Sequence, residues 1–286
     1  MSQRFRIAAI TDEFSQDPEA AAGAIASSGM TGAELRMISG RNVVDLSDDE
    51  IDHAAAIMAR HGLTVVSLAS PLLKCVLPGG PPVDSRFQQD VFAARLTFDD
   101  QERLARRSFE IAHRTGARIV RVFSFWRTVD PDAVFDRVVA SLRTLAAQAA
   151  TEDLIIGLEN EAACNIATGA ETARVLAAVD HPALQVVWDP ANALVAGETP
   201  FPDGYRALDP ARIAHVHAKD CFVDGVKPTF GPLGECGVDW KGQIAALAAD
   251  GYSGWISLET HWPGPGGDKL LASTICARNL KALVTV

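Results

Sequence analysis

Three things are scarce in this 286-residue chain, and each scarcity closes a class of function. Cysteine is the first. Cys75, Cys164, Cys221, Cys236 and Cys276 are odd in number and form no CxxC pair, which removes both a zinc ribbon and a disulfide framework. Reduced thiols in a cytoplasmic setting are the expectation. Positive charge is the second: 26 Lys+Arg against 36 Asp+Glu leave a net charge of −10, the wrong sign for attracting a phosphate backbone. No nucleic-acid partner is expected. The third is the long apolar run. The most apolar stretch, Leu63 to Pro78, is broken by Ser67, Ser70, Pro71 and Lys74, well short of the roughly 20 residues that span a bilayer. No membrane partner is expected either, and the Met1–Arg6 start lacks the apolar core of a secretory signal. Low-complexity tracts and linkers are also missing, and 48% hydrophobic residues with 22 Gly and 15 Pro describe an ordinary globular chain rather than a disordered or collagen-like one.

What is present is an alternation. β-rich runs are predicted at Phe5–Thr11, Gly32–Ile38, Thr64–Ser70, Arg118–Phe125, Ile155–Asn160, Leu184–Asp189, Ile213–Lys219 and Trp255–Thr260. Between and after them, helical periodicity marks Pro18–Ser28, Asp48–His61, Asp99–Thr115, Pro131–Ala150, Gly169–Val179, Phe201–Leu208, Asp239–Asp250 and Lys269–Val284. Start and stop chemistry supports the boundaries: Asp17-Pro18, Ser47 and Asp130-Pro131 suit helix N-termini, while Gly29, Gly62 and Gly116 suit C-termini. Strand then helix, eight times over, predicts an α/β fold, a (β/α)8 TIM barrel formed by residues 1–286 as one domain, with a doubly wound open sheet as the competitor. The connection from about 71 to 98 is long and rich in Pro and Gly. It reads either as a lid over the mouth or as a surface excursion.

In such a barrel the C-terminal ends of the strands share one mouth. Four endings place polar groups there: Leu158-Glu159-Asn160-Glu161, Trp188-Asp189-Pro190-Ala191-Asn192, His215-Val216-His217-Ala218-Lys219-Asp220 and Leu258-Glu259-Thr260-His261. Side chains alternate across a strand, so Leu158, Trp188, Val216 and Leu258 are expected to pack outward while Glu159, Asp189, His217 and Glu259 point inward. One such Glu is ordinarily a solvated loop residue, and Asp-Pro is a common turn opener. The coincidence on four successive strands is what points to a site. Three carboxylates crowded together repel one another unless a cation compensates, and an oxygen-rich set with one imidazole suits a single divalent ion: Mn²⁺, Mg²⁺, Co²⁺ or Zn²⁺. Arg36, Asn192, Lys219 and His261 are candidate substrate-binding groups, with ion pairing or loop polarity as their bland alternative. Arg121 and Trp126 are further candidates for the wall. The glycines of 231–237 and the run Pro263–Gly267 follow the last two strands, where barrels often hold phosphate.

Together with Gly231-Pro232-Leu233-Gly234-Glu235-Cys236-Gly237-Val238-Asp239-Trp240, Glu34-Leu35-Arg36 and Ile10-Thr11-Asp12-Glu13, these endings resemble the xylose isomerase-like TIM-barrel superfamily, and within it the sugar phosphate isomerase/epimerase branch. The resemblance runs over nearly the whole chain. It implies a metal held by Glu159, Asp189, His217 and Glu259, with Glu159 and Glu259 as the catalytic pair that removes and returns a proton on opposite faces of a keto sugar. The activity implied is a divalent-metal-dependent isomerase or epimerase of a sugar, keto-sugar or polyol passing through an enediolate. Alternatives are a lyase or hydrolase of an oxidised glycoside, and a non-catalytic sugar-binding barrel. Two departures touch substrate preference: Glu161 and Asn192 stand where relatives often carry His. The stretches Val65–Ser70 and Val120–Phe125 lack the extra histidines of multinuclear DNA-repair relatives. Self-association through exposed barrel helices is implied by the resemblance only.

Overall fold

The computed structural model describes residues 5–87 and 96–285. Eight parallel strands close on one another in chain order: β1 (Arg6–Ile10), β2 (Gly32–Leu35), β3 (Thr64–Leu72), β4 (Ile119–Val122), β5 (Ile155–Glu159), β6 (Leu184–Trp188), β7 (Ile213–Ala218) and β8 (Trp255–Leu258), which pairs back onto β1. The chain is therefore a TIM barrel and not an open sheet. Its strands are buried on nearly every residue, as parallel strands covered by helices must be.

Around the barrel run α1 (Pro18–Ser27), α2 (Asp48–Arg60), α3 (Gln101–Thr115), α4 (Phe135–Thr151), α5 (Gly169–Val179), α6 (Pro190–Val195), α7 (Trp240–Ala249) and α8 (Lys269–Val284). Local chemistry starts and stops them. Asp17 accepts from Ala20 N at 2.9 Å, Ser47 and Glu50 form a reciprocal capping box, and Gly116 ends α3 at φ 74°. No helix among the described residues is long and apolar enough to cross a membrane.

Between β6 and β7 the structure differs from the expected helix at 201–208. Helix α6 begins at Pro190, directly behind Asp189, and the later segment holds an irregular turn, Pro200–Gly204, and one helical turn, Tyr205–Ala207. Pro200 and Pro202 lack the N–H groups a regular helix needs there. The 71–98 connection is described up to Phe87 and from Leu96, so part of the lid expectation lies outside the described residues. What is described is tied down: Phe125 N and Trp126 N donate to Leu73 O and Cys75 O, and Asp84 N donates to Arg127 O at 2.8 Å.

The barrel interior narrows where the chemistry sits. Gly157, two residues before Glu159, is the small member of its layer: a Cβ there would meet Val187 Cγ2 at 2.7 Å and Ile119 Cγ2 at 2.9 Å. Trp188 goes the other way, outward, donating its indole N–H to Gln243 Oε1 of α7 at 3.1 Å.

Candidate metal centre

Alternation along β5 to β8 brings Glu159, Asp189, His217 and Glu259 together. One donor atom from each lies within 4.8 Å of all the others, and all four residues are buried. His217 Nδ1 is 2.9 Å from Glu159 Oε1 and 3.6 Å from Glu259 Oε2. Asp189 is the N-cap of α6: its Oδ1 accepts from Asn192 N at 2.9 Å, which leaves Oδ2 for the centre. Asn160 clamps the Asp189 peptide from both sides, accepting from Asp189 N and donating to Asp189 O, each at 2.8 Å.

Cations already crowd this acidic cluster. Lys219 Nζ stands 2.7 Å from both Asp189 Oδ2 and Glu259 Oε2. Arg121 Nη1 donates to Glu159 Oε2 at 3.1 Å while its other nitrogens hold the Ser70 and Ala69 carbonyls. The ionisations follow. Burial opposes charge on Glu159, but His217 and Arg121 outweigh it and hold the carboxyl at about 2. Burial likewise opposes charge on Glu259, and Lys219 and His261 pull it well below the usual carboxylate range. Asp189 is the exception: burial, together with repulsion from Glu159 and Glu259, raises it to about 6 against the pull of Lys219. His217, despite burial, is raised well above its ordinary value by Glu159 and Glu34, and Lys219 is raised by Asp189 and Glu259. The donor set thus fits a divalent cation: three carboxylates and one imidazole, buried, convergent and held apart from collapse only by borrowed positive charge.

A cavity of about 500 Å³ opens above this centre, lined by Asn192, Lys219, Glu259, His261 and Arg121 together with Lys74 and Glu161. Three of the four expected substrate-binding residues are therefore in its wall. Arg36 is not. Its guanidinium is fully buried and spent on carboxylates, donating to Asp12, to Glu13 Oε1 at 2.5 Å and to Glu259 Oε1 at 2.7 Å, so it orients Glu259 from behind. Glu159 also lies below the lining, under Asn192 and Arg121. His261, at φ 51°, places Nε2 3.1 Å from Glu259 Oε1 and sets its ring 5.0 Å from that of Phe230 with the planes tilted by 59°. Trp126 packs with Phe123 and Cys164.

The glycine-rich 231–237 loop does not present its amides to an anion from outside. Gly234 N, Cys236 N and Val238 N all donate to the Asp220 carboxylate, as does Cys221 N. Asp220 and Asn160 were visible only as motif neighbours. Asp12 and Glu13 end the first strand's motif, and nothing in the sequence pairs them with Arg36, which is more than 20 residues away in the chain. A larger cavity of about 790 Å³ lies outside the barrel between α7 and α8, lined largely by apolar side chains such as Ile244, Ala248 and Leu283, with none of the converging donors.

Fold and site together define a TIM barrel with a carboxylate–imidazole centre at the C-terminal mouth. The chain belongs to the xylose isomerase-like TIM barrel family, whose sequence profile matches residues 22–279. Inosose dehydratase of Lacticaseibacillus casei is 25% identical over 200 residues, 59% of this chain and 66% of that enzyme, so the match spans just under two thirds of that relative's length. Among solved structures, the IOLI protein with a bound zinc atom superposes with a TM-score of 0.74 at 15% identity over 98% of both chains. The apo 3-keto-D-glucoside 4-epimerase YcjR of E. coli superposes with a TM-score of 0.70 at 19% identity over the whole of both chains. These last two likenesses are of fold.

Proposed function

We propose that this protein is a divalent-metal-dependent isomerase or epimerase of a keto-sugar or related polyol. The observation that carries the reading is the convergence of Glu159, Asp189, His217 and Glu259 directly beneath a cavity walled by Lys219, Asn192 and His261. Those four residues would hold one divalent ion; when bound, it supplies the positive charge that stabilises negative charge developing on adjacent substrate oxygens. The zinc in the IOLI structure supports this assignment.

The chain's own groups supply the rest. Glu259 fronts the cavity with Oε1 fixed by Arg36, so its carboxylate is oriented to take the proton beside the substrate carbonyl. Glu159, approaching from β5 under Arg121, is the second acid–base group and returns a proton on the other face. Lys219 and Asn192 donate to substrate oxygens, and His261 steadies Glu259. Proton return to the same carbon inverts a stereocentre; return to its neighbour gives isomerisation.

A second reading is dehydration of a keto-polyol, favoured by the inosose dehydratase relative. It shares the first proton transfer and then expels a hydroxyl. The experiment that tests both is incubation of metal-loaded protein with ketoses, keto-glycosides and inososes, with and without phosphate, in D₂O. Deuterium at the carbon beside the carbonyl without elimination supports epimerisation or isomerisation; an enone product supports dehydration. Neither exchange nor product across the panel, in a protein that binds sugar and metal, contradicts both and leaves the sugar-binding barrel. We expect Glu159→Gln and Glu259→Gln each to slow exchange by at least about 100-fold, and full exchange in both variants rules the pair out.

A further inference from the structure

Two buried polar residues have no task in the site described above. Glu34 of β2 and His215 of β7 are fully buried in the barrel interior, beside His217 rather than in the cavity wall. Glu34 Oε1 lies 2.5 Å from His215 Nε2, and Glu34 Oε2 lies 3.3 Å from His217 Nε2. The two imidazoles meet edge to face, 5.4 Å apart at an interplanar angle of 87°.

The pairing constrains where hydrogens sit. An ionised carboxylate only accepts, so each Nε2 that faces Glu34 carries its hydrogen. A neutral imidazole then keeps its lone pair on Nδ1. For His217 that nitrogen faces Glu159 Oε1 and Glu259 Oε2, the heart of the donor cluster. For His215 it is buried without a hydrogen-bond partner, so His215 is held through its Nε2 contact with Glu34. Burying three ionisable groups in a barrel layer is costly compared with an apolar filling such as Val187 supplies next door. That cost is met by a function better than by packing.

We infer that Glu34, anchored by His215, is the positioning residue that fixes the His217 ring so that Nδ1 faces the carboxylate cluster. The inference rests on the metal reading proposed above. Glu34 touches neither substrate nor the metal-facing atoms; it acts through His217. A carboxylate behind a ligating imidazole sets ring orientation and raises ligand basicity, and its loss typically costs 10- to 100-fold in metal affinity.

The test needs only the ions Zn²⁺ and Co²⁺. Metal-free wild type, Glu34→Gln, His215→Leu and His215→Gln are titrated by competition with a chelator, the visible Co²⁺ spectrum is taken for each, and metal-free unfolding is measured in urea. We expect Glu34→Gln to weaken binding about 10- to 100-fold and to shift the Co²⁺ bands. His215→Leu should weaken it less, and His215→Gln, whose amide keeps an N–H toward Glu34, should return toward wild type. Wild-type binding with an unchanged dissociation constant in Glu34→Gln overturns this inference alone, even if the variant is less stable, because that is what mere packing predicts. Wild type that binds neither ion overturns the metal reading and this inference with it. Where Glu34→Gln does not fold, equal affinities in the two His215 variants overturn the inference.

Discussion

At Lys219 a single ammonium holds apart two carboxylates that would otherwise face each other across the barrel, Asp189 and Glu259. Replacing it with Met leaves buried negative charge uncompensated, so Lys219→Met should lower metal-free stability in urea by about 3–5 kcal/mol. Added divalent ion should recover most of that loss, since it supplies the same charge at the same carboxylates; an equal loss with and without metal contradicts the placement. Proton linkage gives a second check. His217 is raised well above its ordinary value, so in the metal-free protein at neutral pH its imidazole is protonated between Glu159 and Glu34. Metal must displace that proton, and affinity should therefore rise about tenfold per pH unit. Below about pH 6 Asp189 also binds a proton in the metal-free state, so the slope should steepen toward about a hundredfold per unit as pH falls. Metal affinity that is flat between pH 5 and 7.5 counts against both assignments.

Loops and strand ends decide which residues the chain could announce in advance. The convergence of Glu159, Asp189, His217 and Glu259 was legible because a period-two pattern places one polar residue where each apolar strand stops, and barrel geometry turns all four strand ends to one mouth. Seven of the eight strands end one to three residues earlier than their apolar pattern, at Val122 and Leu258 for example, because ladder pairing stops before β-rich composition does, whereas β3 runs two residues past Ser70 to Leu72. Which of its two readings Arg36 follows could not be told from the sequence, because its ion pairs depend on Asp12 and Glu13, which only the closing of β1 against β2 brings to it. The glycine-rich 231–237 loop was open for the same reason: its amides are consumed by Asp220, 14 to 18 residues earlier. Asp220→Asn would turn an amide N–H₂ toward those donors and should destabilise the protein by about 2–4 kcal/mol in urea unfolding, through lost charge-assisted hydrogen bonds. Wild-type stability in that variant would show that the loop is held by other means.

For the molecule as a whole, net charge −10 favours uptake of a cation, while at the metal-free centre Lys219, Arg121 and His217 compensate the buried carboxylates. Binding one ion to the folded state alone stabilises it by about 2.7 kcal/mol at a concentration 100 times the dissociation constant. Stripping with a chelator should accordingly lower the unfolding temperature, and Asp189→Ala should abolish the difference between stripped and loaded protein. The proposed function depends on an ion held at this centre. The direct measurement is anomalous diffraction at the absorption edge of Mn²⁺ or Zn²⁺ in crystals of the loaded protein. The account predicts one peak, about 2.0–2.3 Å from Glu159, Asp189, His217 Nδ1 and Glu259; a peak elsewhere in the barrel, or none in protein that has been saturated with metal, contradicts it.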